Sequence, residues 1–295
     1  MSDSQSEMAQ LVVNLVNNSE ISSIKQVVTE ILRIIKDETT GAKDLKEVIE
    51  KDPPLYAKVL KLANSAQYGY PRTINSIQEA IVCIGFDTIK EIALNQKVCE
   101  LFMNDQIRHG YSRWSLWEHS CGVAICSKLI YRREFRERGD DIYAAGLLHD
   151  IGIIVEDQFF TEQFDQALSI VMSEIRNLHE VEHETLNIDH AKIGKAIAVN
   201  WEFPDELIQA IGCHHEIDGL DSQGENLERF VRTIYLADFI CHREKIGFVD
   251  TLKRDTNRFR DCLSKLKIKT RAVDILSEEL KEEIKKVEEL DKSIK

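Results

Sequence analysis

The sequence predicts an all-α protein, and three observations carry that prediction. Apolar residues recur at i, i+3, i+4 and i+7 along most of the chain, the spacing that lines one face of a helix. Segments that alternate apolar and polar residues, as a half-buried strand does, are scarce. Proline and glycine are few, 4 and 13 among 295 residues, which argues against a loop-rich β architecture.

The elements follow in order. The start, MSDSQSEMAQ, lacks the basic segment and apolar core of a signal peptide. Over 24–35, Ile24, Val27, Val28, Ile31, Leu32, Ile34 and Ile35 mark a half-buried helix. Leu45, Val48 and Ile49 mark a shorter one, and DPPL at 52–55 opens the next, since proline is tolerated in a first helical turn. QYGYPRTINS at 67–76 reads as a turn, followed by helices over 76–84 and 87–103. A polar break at 104–112 precedes helices over about 114–131, 141–156, 161–178, 190–201, 204–215 and 227–242. Beyond residue 250, Ile275, Leu276, Leu280, Ile284, Val287 and Leu290 form one stripe among Glu and Lys. That is an amphipathic helix, read as packing on its own domain, with pairing to a partner or to a second copy as a homodimer the alternative.

Composition narrows the function classes. A net charge of −13 disfavours a broad nucleic-acid or anionic-membrane footprint, which needs clustered Lys and Arg. No apolar run approaches the roughly 20 residues of a membrane helix. The seven cysteines (83, 99, 121, 126, 213, 241 and 262) lie mostly in apolar stretches and form no CxxC pair. They read as reduced, buried thiols of a cytoplasmic protein, without a thiolate zinc site.

Nine histidines fall into two competing patterns. HEVEH at 179–183 matches the HExxH string, which on a helix places His179 and His183 on one face with Glu180 as a base. Glu182 and Glu184 add charge to this stretch, so it reads as a solvated helix surface. The second pattern is His119, His149-Asp150, His190, His214-His215 and Asp238, each in or beside an apolar helical stretch. AAGLLHDIGI at 144–153 poses the question most sharply, because a buried carboxylate is normally paired or bound to metal. Any one of these residues alone reads as a core histidine or a cap. Seven nitrogen and oxygen donors together suit a metal cluster.

This order of residues resembles the HD superfamily of metal-dependent phosphohydrolases. DPPLYAKVLKLANSAQYGYPRTINSIQEAIVCIGFDTIKEIAL at 52–94 and ETLNIDHAKIGKAIAVNWEFPDELIQAIGCHHE at 184–216 resemble, more narrowly, the HDOD family of bacterial signalling proteins. The likeness implies two helical lobes: an HDOD lobe over 1–105 and an HD-type metal-binding domain over 106–248. A helical extension over 249–295 follows. The resemblance further implies that His119, His149 and Asp238 bind one metal, that His190, His214 and His215 bind another, and that Asp150 bridges them. Many HDOD proteins lack parts of this set and act as non-catalytic modules, whereas this chain keeps every position.

Histidine and carboxylate donors without thiolate suit divalent Fe, foremost, or Mn, Zn or Ni. Two such ions roughly 3.5–4 Å apart can clamp a phosphoryl group and activate water. The cyclic-dinucleotide phosphodiesterases of the HD-GYP type carry a lysine where this chain has Ile153, and a Gly-Tyr-Pro element that HHEIDGLDSQGEN lacks. The expected function is therefore metal-bound signalling through a partner protein or a small phosphorylated ligand. The alternatives are a phosphohydrolase acting on a nucleotide or cyclic dinucleotide, and a diiron redox sensor. The chain is expected to be a stand-alone unit, with no fused receiver or kinase segment. Arg132, Arg133, Arg136 and Arg138 read as a solvated helix end, and Trp114, Trp117 and Trp201 as packing.

Overall fold

Side chains that cap helix starts punctuate the chain. Asp52, Ser76, Ser112, Asp189 and Asp255 each accept a hydrogen bond from a backbone N–H of the first turn that follows, satisfying donors that have no partner within the helix. The computed structural model describes residues 3–37, 39–65, 68–103, 106–220, 224–249 and 255–294, with side chains from Gln5 to Lys286 among them. Within these residues every regular element is helical. They are α1 (Asp3–Asn17), α2 (Lys25–Lys36), α3 (Ala42–Glu50), α4 (Pro53–Ala63), α5 (Ile77–Ile84), α6 (Phe86–Val98), α7 (Arg113–Ile130) and α8 (Asp140–Leu148). There follow α9 (Ile151–Phe159), α10 (Thr161–Glu174), α11 (Leu178–Thr185), α12 (His190–Asn200), α13 (Asp205–Cys213), α14 (Glu225–Glu244), α15 (Thr256–Leu266) and α16 (Thr270–Ile294). The all-α expectation holds. None of the described helices is long and apolar enough to cross a membrane. No disulfide joins the seven cysteines; Cys126, Cys241 and Cys262 are buried as expected, whereas Cys83, Cys99, Cys121 and Cys213 are half-buried.

The expected helices differ in detail. The span 87–103 ends as α6 and then tightens into a 3-10 turn over Cys99–Phe102. The span 161–178 stops at Glu174 because Ile175 adopts a left-handed conformation (φ 55°), and α11 begins where the expected helix ends. The span 141–156 divides into α8 and α9 at His149-Asp150. Helix α1, with Met8, Leu11, Val12, Leu15 and Val16 at helical spacing, is an element the expected order lacks. On α16, Val273, Leu276 and Leu280 are buried, whereas Ile275 is exposed; the side chains of Val287 and Leu290 lie outside the described residues. Trp201 and Trp117 are buried, but Trp114 is exposed and donates Nε1–H to Glu118, so it is not a packing residue. Tyr131–Phe135 form a π-turn, and among the arginines beside it Arg133 and Arg138 pair with carboxylates, as at a solvated end.

The chain divides into two compact units, one of residues 1–22 and 101–280, the other of 23–100 and 281–295. In the second, α2, α4 and α5 pack on α6 and α3 packs on α5. The core is Val28, Ile31, Leu45, Ile49, Leu55, Val59, Ile77 and Leu94, all buried. Lys97 on α6 donates to Asp52 (2.7 Å), the residue that caps α4, and pairs with Glu100 (2.9 Å). Removing one partner of a buried pair leaves uncompensated charge behind. Lys97→Ala is therefore expected to cost this unit about 3 kcal/mol, the low end for a buried pair because Glu100 is partly open to water, read as a lower denaturation midpoint with unchanged slope.

In the larger unit, α7 packs against α8 and α14, α12 against α9, α13 and α1, and α10 against α11. Two glycines set close approaches there. A Cβ on Gly152 of α9 would collide with the His190 carbonyl oxygen and stand 2.7 Å from its carbon. Gly247, at φ 64°, lets the turn after α14 lie on the backbone of α7 at Ser115 and His119, where Phe248 N–H donates to the Ser115 carbonyl (2.8 Å). Both contacts fall at residues of the second histidine pattern.

Candidate metal centre

The break between α8 and α9 positions the first pair. His149 caps α8, and its Nδ1–H donates to the Gly146 carbonyl (2.7 Å), one of the carbonyls that a helix end leaves without a partner. Asp150 follows with φ −100° and ψ 18°, the bridge region where active-site residues often sit. The same device recurs at α13, where His214 is the cap and its Nδ1–H donates to the Ile211 carbonyl (2.8 Å). His119, within α7, directs Nδ1–H at the Ile246 carbonyl (3.3 Å) in the turn held by Gly247. His190 opens α12 and directs Nδ1–H at Glu182 Oε2 (2.7 Å), whose carboxylate also accepts the His190 backbone N–H (2.9 Å).

In each of these four rings Nδ1 donates to an oxygen outside the cluster, so Nε2 is the nitrogen turned inward, where it takes either a proton or an ion. An outer oxygen that holds the far nitrogen of a histidine is the arrangement found around metal ligands. The four Nε2 atoms converge on Asp150. Its Oδ2 lies 3.2 Å from His149 Nε2 and 3.8 Å from His119 Nε2, while its Oδ1 lies 3.4 Å from His214 Nε2 and 3.5 Å from His190 Nε2. Asp238 Oδ1 faces His119 Nε2 at 3.0 Å, and His215 Nε2 faces His190 Nε2 at 2.9 Å.

All seven residues singled out in the sequence therefore come together. They are at most 8 % exposed, His215 being the most open. Donor groups that can each hold one ion are Asp150 with His190, His214 and His215, and His119 with His149 and Asp150.

The electrostatics call for a cation. Asp150 is held well below the usual carboxylate range: burial opposes its ionisation, but the His149, His214 and His190 rings outweigh burial. Asp238 is likewise held low against burial, by His242 and His119. His215 is pushed well below the usual imidazole value by burial and by His214, His179 and His190, so it is a neutral donor. His149 Nε2, His214 Nε2 and Asp150 Oδ1 are buried with no hydrogen-bond partner. Buried acceptors facing one another are costly unless a proton or an ion lies between them. The donor set fits divalent transition metals.

Four further residues belong to this neighbourhood that the sequence reading did not place there. Glu182, in HEVEH, is fully buried and holds His190, so that stretch is not a solvated surface: α11 buries Val181 and Glu182 against the core. Its His179 stacks on His215 (4.2 Å between ring centres), while His183 turns away to Asp189 (2.8 Å). The two histidines of the HExxH string share no donor group among the described residues. Glu156 is fully buried behind Glu182, and burial followed by the charge of Glu182 pushes its carboxyl well above the usual range. His242 is buried beside Asp238. Only Glu156, in IGIIVEDQF, carries the signal that flagged His149 and Asp150, a polar residue at an apolar stretch; Glu182 and His179 stand in a charged one and His242 near a helix end. Ile153, at the HD-GYP lysine position, is buried in α9 and offers no phosphate contact. Of the loop after His215, residues 221–223 lie outside the described residues.

Comparison with known proteins places this geometry. The family profile described as HDOD domain matches residues 21–217. Among solved structures, an HDOD domain protein of unknown function from Geobacter sulfurreducens is 25% identical, with 91% of this chain and 90% of that one covered and a TM-score of 0.72. A candidate signal transduction protein from Marinobacter aquaeolei VT8 shares the fold (TM-score 0.74, 19% identity, 99% and 66% covered). So does a candidate phosphohydrolase from Shewanella amazonensis SB2B (TM-score 0.64, 22% identity, 92% and 93% covered). An uncharacterized protein of Treponema pallidum (strain Nichols) is 26% identical over 213 residues, 67% of this chain but only 38% of that protein's length.

Proposed function

Because this chain belongs to the HDOD family, we propose that it is a cytoplasmic signalling protein. Its histidine–aspartate cluster would bind two divalent transition-metal ions, iron foremost, and it would act by contacting a partner protein or a small phosphorylated ligand. The observation that carries the dinuclear reading is the orientation of Asp150. One carboxylate oxygen faces His119 and His149, and the other faces His190 and His214. A carboxylate that turns each oxygen to a separate set of imidazoles is disposed to bridge two ions. His119, His149 and Asp238 would hold one ion and His190, His214 and His215 the other.

The protein's own residues do the positioning. The carbonyls of Gly146, Ile211 and Ile246 and the Glu182 carboxylate aim four rings and fix which nitrogen turns inward. When bound, such ions supply Lewis acidity and bring the pKa of a coordinated water down to roughly 7. Burial of every donor favours signalling over hydrolysis, because a closed cluster admits small species more readily than a nucleotide. The intact donor set is what supports the second reading, a metal-dependent phosphohydrolase.

Metal analysis of protein purified without oxygen is expected to find about two transition-metal ions per chain, the dinuclear stoichiometry of such sites. The metal-loaded protein is expected to show no turnover on a panel of nucleotides, cyclic dinucleotides and simple phosphoesters. Turnover abolished by His149→Ala would move the assignment to the hydrolase, and absence of metal would remove both readings.

A further inference from the structure

The sequence pattern assigns the ion beside His119 only two imidazoles, His119 and His149, against three on the opposite side. A third imidazole is present. His242 lies one helical turn beyond Asp238 on α14, where residues i and i+4 share a face. It is 3% exposed. Its Nε2 lies 3.0 Å from Asp238 Oδ1, the same oxygen that His119 Nε2 approaches to 3.0 Å. Its ring stacks on His119, with centres 4.5 Å apart and planes inclined by 23°. The two Nε2 atoms are thus presented side by side to one point, and ligand atoms of His119, Asp238 and His242 all lie within 4.8 Å of one another.

We propose that His242 is a direct ligand of the ion beside His119. This rests on the dinuclear reading above and deepens it. Each ion then has three imidazoles, His119, His149 and His242 on one side and His190, His214 and His215 on the other, with Asp150 between. Asp238 adds a further oxygen to the first side only. The first ion is the more fully enclosed by protein donors, and the His190 side is left as the position that takes an exogenous oxygen ligand. A neutral His242 that only donates Nε2–H to Asp238 is the competing arrangement, and it makes a different prediction.

The test is proton NMR of the cobalt(II)-loaded protein. An imidazole bound through Nε2 keeps an exchangeable Nδ1–H close to the paramagnetic ion, so each ligating histidine gives one hyperfine-shifted resonance that vanishes in deuterated water. His242→Gln is expected to lose one such resonance relative to the wild type and to release the first ion at least ten-fold faster to a chelator, the scale on which site losses act. Glutamine can still donate to Asp238, so a purely orienting histidine would leave the resonance count unchanged, and that outcome overturns the proposal. His242→Ala, checked for folding by circular dichroism, should lose the same resonance. A wild type that binds no cobalt and shows no shifted resonances would refute the dinuclear reading itself, and the assignment of His242 with it. A cobalt-loaded protein with equal counts in wild type and His242→Gln refutes only the latter.

Discussion

Asp150→Ala is expected to empty both metal positions at once. The carboxylate lies 3.2 Å from His149 Nε2 and 3.4 Å from His214 Nε2, and within 3.8 Å of those of His119 and His190. Loss of an outer partner alone lowers metal affinity about 10–100-fold, so loss of a shared ligand should weaken both positions by roughly two orders of magnitude or more. Metal per chain after dialysis against a chelator should fall close to zero. His149→Ala, by contrast, should spare the ion held by His190, His214 and His215. If Asp150→Ala retains two ions, Asp150 does not bridge. Asp150→Asn keeps the volume while removing the charge, and separates the contribution of charge from that of packing.

The second large effect is expected at Gly152, which touches no metal. A methyl group there would overlap the His190 carbonyl, and neither a Cβ nor a main-chain oxygen can rotate away. Overpacking costs about 1–3 kcal/mol, occasionally more. Contact between two backbones belongs at the upper end, so Gly152→Ala should cost roughly 3 kcal/mol or more. For a unit of this size that is a fall in Tm of about 10 °C. The α9–α12 approach also sets the start of α12, so the variant should lose metal from the His190 side before it unfolds. Thermal denaturation followed in parallel with metal content tests both statements; a variant with wild-type Tm would mean that the helices separate freely.

Much of this was legible before any coordinates. The all-helical fold follows from periodicity, and capping residues such as Asp52 and Asp189 stand where expected chain breaks fall. The seven converging residues were legible because a charged or imidazole side chain inside an apolar helix needs a reason to be there. What the sequence hides is which face a residue takes. HEVEH is rich in charge and reads as solvated, yet Glu182 turns inward while its neighbour Glu180 turns out. His242 sits among Cys241, Arg243 and Glu244 near a helix end, and only the packing of α14 on α7 brings it to His119. The division of 141–156 at His149-Asp150 was equally hidden, since no proline or glycine marks it between Leu148 and Ile151.

The acceptors that aim the imidazoles are of two kinds, and that difference decides how the centre tolerates drift. For His119, His149 and His214 the acceptor is a main-chain carbonyl. No single codon change can delete such an atom, and lineages can alter the neighbouring side chains while those three rings stay on target. For His190 the acceptor is the side chain of Glu182, so one nucleotide change can unaim it. Within the cluster, the genetically fragile joint is therefore the one between α11 and α12, and divergent copies of this chain should begin to lose the aim of His190 there.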